Sequence, residues 1–374
     1  MDATLLYHMV EPEALQSSYI EFNNCDFVIN VGEGRSLVKN SVKICGDVKI
    51  TTDGNPANRS TGQIFWDHKI GVNSFIDSCQ TTFGGPGGGV KENIQNYGRW
   101  CEMVAIATLN EDDYLNASQQ VELRACNKRC VERLADGEIT TGTTPLTTDV
   151  DFAFKPICIL NKMDGDHLPF EKSGEVRFTL NLARNQSALQ GSIQGSASTY
   201  ELSNLRCHYQ SVETDGDPNS KQVQMRSVYN VKSTIQSGSA NVQAQVPAVV
   251  DAVSCSFQRQ NEENVNTLSN YNCNPIKEIR NVQFLWNSST NAYITYEMND
   301  LNDMLHRYID SFTNTGHNQV MLDTFRTNAG FGLGLHFGEF VDLSRQNFSL
   351  QLQSSITNIY PYNVYMYFHS LLTL

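Results

Sequence analysis

Apolar and polar residues alternate one by one in segment after segment of this chain, and this period of two most constrains the fold. Residues 175–182 alternate without interruption, and so do residues 347–352. Such alternation predicts β-strands with one face in a core and the other toward solvent. Further strands are predicted at 42–50, 152–160, 223–231, 241–246, 282–286 and 364–368. Because Gly, Asn, Asp and Pro clusters separate the strands, the pattern predicts a sandwich or barrel rather than alternating β–α units.

Three segments have the period of an α-helix. In residues 300–312 apolar side chains recur at i, i+3, i+4, i+7 and i+8, and Asn299 or Asp300 can serve as the N-cap. A second helix is predicted at 90–108 and a third at 117–135. The expected fold class is therefore all-β with a few inserted helices.

A repeated unit indicates that the chain contains two similar halves. An aromatic residue, a short polar turn and an F-x-L-x-L strand recur after 170 residues. The members are Phe170, Phe178, Leu180 and Leu182 in the first copy and Phe340, Phe348, Leu350 and Leu352 in the second. Strand-like sequence and a helix precede each copy, at 75–108 and at 282–312. We therefore expect a duplication, with one sandwich in residues 1–195, another in 196–374, and the joint in the Gly- and Ser-rich stretch at 191–196.

The charge of the chain argues against one class of partner. The net charge is −13, charged residues make up 18% of the chain, and no run of five Lys or Arg residues occurs. Since binding to a phosphate backbone depends on clusters of Lys and Arg, direct nucleic-acid binding is not expected. With so little charge, the polar surface must consist largely of Asn, Gln, Ser and Thr. Such a surface suits a protein that is covered by its neighbours.

Cysteine usage and the N-terminal residues indicate where the chain folds. The ten cysteines are scattered, and no two stand in a Cys-x-x-Cys pair. The first residues carry Asp2 and no Lys or Arg before a short apolar run, so no secretory signal is expected. No stretch of 18 apolar residues occurs, so no membrane-spanning helix is predicted. We expect folding in a reducing cell interior, with free thiols packed as small apolar groups.

Two conspicuous motifs have a simpler structural interpretation than a chemical one. The glycine-rich segment at 84–89 continues with Val90 and Lys91, whereas a phosphate-binding loop ends in Gly-Lys-Ser or Gly-Lys-Thr, so a turn or exposed loop is favoured. Cys126 and Cys130 stand at i and i+4 of the predicted third helix. Zinc would require two further ligands at suitable spacing, so a packed helix face is favoured.

The remaining candidates also predict no reactive site. Asp-Gly-Asp turns at 164–166 and 215–217 could contribute to a calcium site, but neither continues as an EF-hand loop, and hairpin turns explain both. The eight histidines are dispersed, and His306 lies off the apolar stripe of its helix. We therefore predict no catalytic, cofactor-binding or metal-binding residues and no cofactor. A pair of glycosidase carboxylates that meet only in space stays open.

The segment at 360–368 predicts a strand that is covered on both sides. Val364, Met366 and Phe368 would face one way, and Tyr365 and Tyr367 the other. A central core strand has both faces covered, and so does a strand at a subunit or domain interface. Both interpretations stay open.

Two parts of the chain resemble one known family. Residues 75–78 (Phe-Ile-Asp-Ser), the glycine loop at 84–89 and residues 90–100 resemble the first-domain strand, loop and helix of double jelly-roll major capsid proteins. Residues 332–343, followed by a strand and a tyrosine-rich final strand, resemble the closing part of their second domain. These proteins belong to tailless icosahedral DNA viruses of the tectivirus and adenovirus lineage. The nearest similarity is to the polinton-like or virophage-like branch.

The resemblance implies two consecutive eight-stranded jelly-roll sandwiches, at 1–195 and 196–374, in a chain that is a structural subunit and not an enzyme. Three such chains would form a homotrimer, a pseudo-hexagonal capsomer of an icosahedral shell. The implied partners are the same chain, neighbouring capsomers, penton proteins and minor capsid proteins, and an internal membrane beneath the shell is compatible. The implied location is the virion, assembled inside the host cell. Two other functions stay open: a β-sandwich carbohydrate-binding protein or glycosidase, and a minor, penton-type virion protein.

Overall fold

Strands dominate the computed structural model, which describes residues 4–52, 55–56, 64–67, 70–86, 88–108, 150–191, 198–236, 239–265, 270–271, 273–276, 279–287, 293–312, 330–354 and 361–374. The strands of the N-terminal half are β1 Leu6–Val10, β2 Asn24–Ile29, β3 Arg35–Leu37, β4 Lys43–Thr52, β5 Asn55–Pro56, β6 Ile64–Trp66, β7 Ile76–Phe83, β8 Gly89–Gln95, β9 Val150–Phe154, β10 Met163–Gly165, β11 Leu168–Pro169, β12 Val176–Leu182, β13 Leu189–Gly191 and β14 Ser198–Glu213. Those of the C-terminal half are β15 Val223–Ile235, β16 Ala240–Ala244, β17 Val249–Arg259, β18 Ile279–Asn287, β19 Tyr293–Met298, β20 Gly332–Asp342, β21 Asn347–Ser354 and β22 Tyr362–Thr373.

Short helices interrupt the strands. The α-helices of the described residues are α1 Tyr97–Thr108, α2 Phe170–Ser173, α3 Asn185–Ala188 and α4 Leu301–Asp310. Single turns of 3-10 helix lie at Gly71–Phe75, Ile159–Asn161, Pro218–Ser220, Gln260–Glu262 and Leu343–Arg345.

The N-terminal half has the strand order of a jelly roll. Its main strands, numbered 1 to 8 along the chain, are β1, β2, β4, β7, β8, β9, β12 and β14. Antiparallel pairing arranges them as 1-8-3-6 in one sheet and 2-7-4-5 in the other. This interleaving of early and late strands closes two sheets around one core. We call this half the first roll.

The described strands of the C-terminal half repeat the same order, and β10 of the first half pairs with the edge strand β15. Strands β15 to β22 pair as 1-8-3-6 in one sheet and 2-7-4-5 in the other. In both halves the longest helix of the described residues directly follows the fifth strand, as α1 follows β8 and α4 follows β19. The chain therefore consists of two consecutive jelly rolls, as predicted, and we call the second half the second roll.

The repeated sequence unit falls on the same strand of both rolls. Phe178 lies on β12 and Phe348 on β21, and each strand is the seventh of its roll. Both strands bury every second residue, as the alternation predicted. Phe348 contacts Phe368 of the opposite sheet with ring centroids 5.0 Å apart, so the seventh and eighth strands meet across the core of the second roll.

The strand β14 lies on the other side of the predicted division between residues 195 and 196. It pairs with β1, β3 and β4, all of them near the start of the chain. A division at 195 thus separates the eighth strand of the first roll from its sheet. The predicted joint itself, at 191–196, falls mostly outside the described residues.

The predicted helices have different outcomes. The helix at 300–312 is confirmed as α4, and its first turn is capped by Asp300, which accepts hydrogen bonds from the Asn302 and Asp303 backbone N–H groups at 2.8 and 3.0 Å. The helix predicted at 90–108 is wrong in its first third, where the chain forms β8. The segment predicted at 117–135 lies outside the described residues.

Candidate functional site: the junction between the rolls and the exposed first strand

The motifs considered for chemistry have structural roles wherever they are described. The Asp217 side chain accepts a hydrogen bond from the Asn219 backbone at 2.9 Å and so caps a 3-10 turn. His306 is exposed, as predicted. Within the described residues no three His, Cys, Asp or Glu side chains are grouped closely enough to hold a metal ion. Cys126 and Cys130 lie outside that part of the chain.

The glycine-rich loop allows two backbone segments to touch. The backbone N–H groups of Gly84 and Gly85 donate to the carbonyls of Glu175 and Ser173, both at 2.8 Å. A Cβ atom on Gly85 would lie 2.6 Å from the Gly174 nitrogen, so any side chain would force the segments apart. The prediction of a turn or exposed loop holds, since Gly84 and Gly88 are exposed, and Gly85 in addition allows the close packing.

The two rolls meet edge to edge through two short sheet contacts, and in one of them β10 of the first half pairs antiparallel with residues 223–225 of β15. Strand β8, the fifth strand of the first roll, forms a parallel bridge with β15, the first strand of the second roll, at Asn93 and Tyr229. Two side-chain hydrogen bonds flank this bridge. The Gln95 backbone donates to Oδ1 of Asn230 at 2.9 Å, and Nδ2 of Asn230 donates back to the Gln95 carbonyl at 3.1 Å. One sheet thus runs through both rolls and covers two edges that separate sandwiches would leave open.

The Glu92 carboxylate accepts hydrogen bonds from both rolls at this contact. Its Oε1 accepts the Val228 backbone N–H of the second roll at 3.0 Å. Its Oε2 accepts the Ile159 backbone N–H of the first roll at 2.6 Å. Glu92 is only 3% exposed, and burial raises its pKa to about 7, against the two backbone hydrogen bonds and the nearby Lys162 charge, which lower it.

Helix α1 fills the junction with an aromatic side chain. Trp100 is 1% exposed, and its indole N–H donates to the Ile157 carbonyl at 3.1 Å. Its ring centroid lies 5.3 Å from that of Tyr367 and 5.4 Å from that of His369, both on β22. Phe312, at the end of α4, lies 6.2 Å away. A side chain of the first roll is thus packed against three rings of the second.

An arginine beside Trp100 binds the second roll through polar contacts. The Arg99 guanidinium lies over the Tyr365 ring at 4.5 Å and donates to the Asn270 carbonyl at 2.6 Å. Arg99 is buried, and the neighbouring groups hold its pKa above the ordinary value although burial alone lowers it. Gly98 allows this approach, because a Cβ atom there would lie 2.5 Å from the Tyr271 ring.

The tyrosine-rich last strand satisfies both interpretations left open by the sequence. Strand β22 is a central strand, between β15 and β17. Phe368 points into the core of the second roll, toward Phe348. Tyr365 and Tyr367 point the other way and contact α1 of the first roll. It is therefore both a core strand and part of the interface between the rolls.

A cleft of about 340 Å³ opens at one end of the junction. Its lining combines side chains of opposite charge from both rolls. The residues that carry these charges are Asp77, Arg99, Arg184 and Glu263. The Lys232 ammonium bonds Glu263 at 2.9 Å, and this partner lowers the pKa of Glu263 although burial opposes it. Glu263 is thus the charged group of the cleft that has an ion-pair partner beside it.

Strand β1 differs from the buried junction, because none of its residues is buried. Tyr7 is 76% exposed and Met9 51%, and Leu6 is exposed as well. His8 stacks on Tyr209 with centroids 4.8 Å apart, which holds one face of β1 on its sheet. An apolar strand that is left open in one chain is typical of an interaction surface.

Sequence reasoning did not find these residues. Glu92, Arg99 and Trp100 all fell in a segment interpreted as one long helix. The signal for Glu92 was a charged residue at an inward position of an alternating strand, which the helix prediction concealed. The exposed apolar side chains of β1 had no sequence signal, because a strand pattern does not say which face a neighbour covers.

No protein-family model matches the sequence, and no curated protein matches it. Solved structures match over nearly the whole chain. The Faustovirus major capsid protein has a TM-score of 0.61 at 8% identity, with 100% of this chain and 90% of that chain covered. A chain in the structure of the Sputnik virophage has a TM-score of 0.60 at 13% identity, with 99% and 86% covered. The mavirus major capsid protein has a TM-score of 0.50 at 9% identity, with 98% and 90% covered.

This chain has the double jelly-roll fold of viral capsid proteins. The predicted fold class is thereby confirmed. A double jelly roll places two similar sandwiches side by side in one subunit, and the junction at Glu92 and Trp100 is what joins them here. No helix in the described part of this double jelly roll has the length and apolar character to cross a bilayer.

Proposed function

We propose that this chain is the major capsid protein of a tailless icosahedral virus and forms homotrimeric, pseudo-hexagonal capsomers. The observation that carries the proposal is the duplication: two jelly rolls with the same strand order, joined edge to edge, in one chain. Three copies of two similar blocks give six blocks in a ring. Such a ring can occupy a six-fold position in a shell with near-equivalent contacts on all sides.

The division between the rolls belongs to this proposal. We place it between Glu213, the end of β14, and Val223, the start of β15. The connection is short, because Asp217 caps a single 3-10 turn between the two strands. The predicted boundary at 195 is thus moved by one strand toward the C-terminus.

The surface supports a role in assembly. The net charge of −13 and the low fraction of charged residues, 18%, favour contacts between protein subunits over contacts with nucleic acid. Neighbouring capsomers, penton proteins and minor capsid proteins are the partners that a facet of such trimers requires. An internal membrane beneath the shell is compatible with this arrangement. The chain is then a component of the virion, assembled inside the host cell, and its role is structural.

The test of this proposal is the mass of the purified protein in solution, measured by light scattering from nanomolar to micromolar concentration. The expected result is a constant mass of three chains, because permanent interfaces typically bury more than about 2,000 Å² and do not separate on dilution. Electron microscopy of the same sample should show pseudo-hexagonal particles. A single-chain mass at every concentration would contradict the proposal and favour a β-sandwich binding protein.

A further inference from the structure

The junction between the rolls has only one copy within the chain, although the rolls themselves are duplicated. In the first roll the outer edge of the fifth strand, β8, is covered by β15, the first strand of the second roll. In the second roll the fifth strand is β19, which pairs with β18 on one side. On its other side no strand of the described residues pairs with it.

The first strand of the chain is the matching open surface. β1 and β15 are equivalent, because each pairs antiparallel with the eighth strand of its own roll. The outer edge of β15 is covered by β8 and, at residues 223–225, by β10, and Val228 is buried there. The outer edge of β1 has no strand partner in the described part of the chain, and Tyr7 and Met9 are exposed.

The helices that follow the two fifth strands, α1 and α4, also differ in how much of their surface is buried. The residues of α1 whose side chains are described are all buried, because the helix lies between its own roll and β22 of the second roll. The equivalent helix α4 buries Met304, Leu305 and Tyr308 against its own roll. Its other residues are half-buried or exposed. Among the described residues, the face that α1 presents to a second roll is therefore half-buried or exposed on α4.

We infer that the β1 edge of one chain is covered by the β19 edge and helix α4 of a second copy of the same chain. This contact repeats, between chains, the contact that β8 and α1 make with the second roll within a chain. The inference rests on the proposed homotrimer and specifies its interface. If every fifth strand meets the first strand of the next roll, six rolls close a ring, and three chains contain six rolls.

The strand register identifies the backbone position at the centre of this interface. In the first roll a row across the sheet joins Thr179, Gln80 and Asn93, and Asn93 bridges to the second roll. The equivalent row in the second roll joins Ser349, Leu285 and Thr295. Thr295 of β19 thus takes the place of Asn93. Its backbone should meet β1 of the neighbouring chain.

The first experiment replaces the two most exposed apolar side chains of β1 in the full chain, as Tyr7→Lys combined with Met9→Lys. The mass in solution should fall from three chains to one, with the far-ultraviolet circular dichroism of the wild type, because neither side chain is buried within the chain. The matched control is Val249→Lys combined with Phe340→Lys, two exposed apolar positions on β17 and β20, and it should keep the mass of three chains.

The experiment distinguishes an error in the inferred interface from an error in the proposed trimer. If the wild type is a trimer and the Tyr7→Lys, Met9→Lys variant is also a trimer, the inferred interface is wrong and the proposed function stands. If the wild type is itself a single chain, both the inference and the proposed trimer are wrong.

A second experiment does not depend on the stability of the lysine variant. A photoreactive benzoylphenylalanine at Tyr7 keeps an aromatic ring at this exposed position, and irradiation of the full chain should give a covalent band of two chains. After trypsin digestion the cross-link should join the peptide that holds position 7 to residues 281–307, which include β19 and most of α4. The same amino acid at Phe340 should not label this peptide. Cross-links from position 7 that reach only other peptides would overturn the inference.

Discussion

Glu92 shows how one buried carboxyl group can couple the two rolls. Its two oxygens accept backbone N–H groups from different rolls, Ile159 and Val228, where a continuous ladder would have used a carbonyl. Burial makes the ionised form costly, and the pKa rises to about 7. The group therefore titrates in the folded protein near neutral pH, well above the range of an exposed glutamate.

The sign of the resulting pH dependence follows from the direction of the shift. The folded state holds the Glu92 proton more tightly than the unfolded chain, so this contribution to stability is complete below about pH 4.5 and is lost as the pH rises through about 7. His369 acts in the opposite direction, because burial lowers its pKa to about 3. Its contribution is present above about pH 6.5 and is lost as the pH falls. The two effects oppose each other between about pH 4.5 and 6.5, so the wild-type profile conceals both.

Glu92→Gln should expose the contribution of Glu92. Glutamine is neutral at every pH, so the variant lacks this pH dependence. The unfolding free energy of the wild type, relative to that of the variant, should therefore fall by up to about 3 kcal/mol from pH 4.5 to 8. Denaturant unfolding at a series of pH values measures this difference. The exposed Glu33→Gln is the control and should follow the wild type at every pH. A constant difference between wild type and Glu92→Gln across this range would show that Glu92 does not titrate there.

At the scale of elements, the strands were predictable and their partners were not. Alternation located β12 and β21 within a residue or two, because a half-buried strand must alternate. It failed at β8, where the two buried positions are Glu92 and Ile94, so that only one of them is apolar. Interfaces such as β8 with β15 depend on which edges remain open after folding, and a local pattern does not contain that information.

The cap of α4 gives a prediction at this scale. Asp300→Ala removes the side chain that accepts the Asn302 and Asp303 N–H groups, and the unfolding free energy should fall by about 1 kcal/mol. Asp310→Ala, at the exposed C-terminal end of the same helix, is the matched control. Removing a negative charge there should leave stability unchanged or raise it slightly. Thermal unfolding of both variants measures the difference, and equal losses would show that the cap contributes nothing.

At the scale of the whole molecule, the two rolls are connected by two short sheet contacts and by many side-chain contacts. Their sheets pair at Asn93 and Tyr229 and along the three residues of β10, which pair with residues 223–225 of β15. Trp100 supplies the apolar contact, since it packs on Tyr367 and His369 while remaining covalently part of the first roll. Cooperative unfolding of the two rolls should therefore depend on this side chain more than on the sheet.

Trp100→Ala should separate the unfolding of the rolls. The loss of a buried tryptophan typically costs about 3–5 kcal/mol, and here the cavity would lie between two units that each have their own core. The two tryptophans that remain report on the rolls individually, because Trp66 lies in the first roll and Trp286 in the second. Fluorescence of Trp100→Ala with Trp286→Phe, and of Trp100→Ala with Trp66→Phe, should give two different denaturant midpoints at one protein concentration.

The control for this experiment keeps a ring at the junction. Trp100→Phe loses the hydrogen bond to the Ile157 carbonyl but retains most of the contact with Tyr367, so the two fluorescence midpoints should still coincide in its background. A split in Trp100→Phe as large as that in Trp100→Ala would assign the coupling to the hydrogen bond. Coincident midpoints in Trp100→Ala would show instead that the other buried side chains that cross the junction, among them Arg99, Glu92 and Tyr271, suffice to unite the rolls.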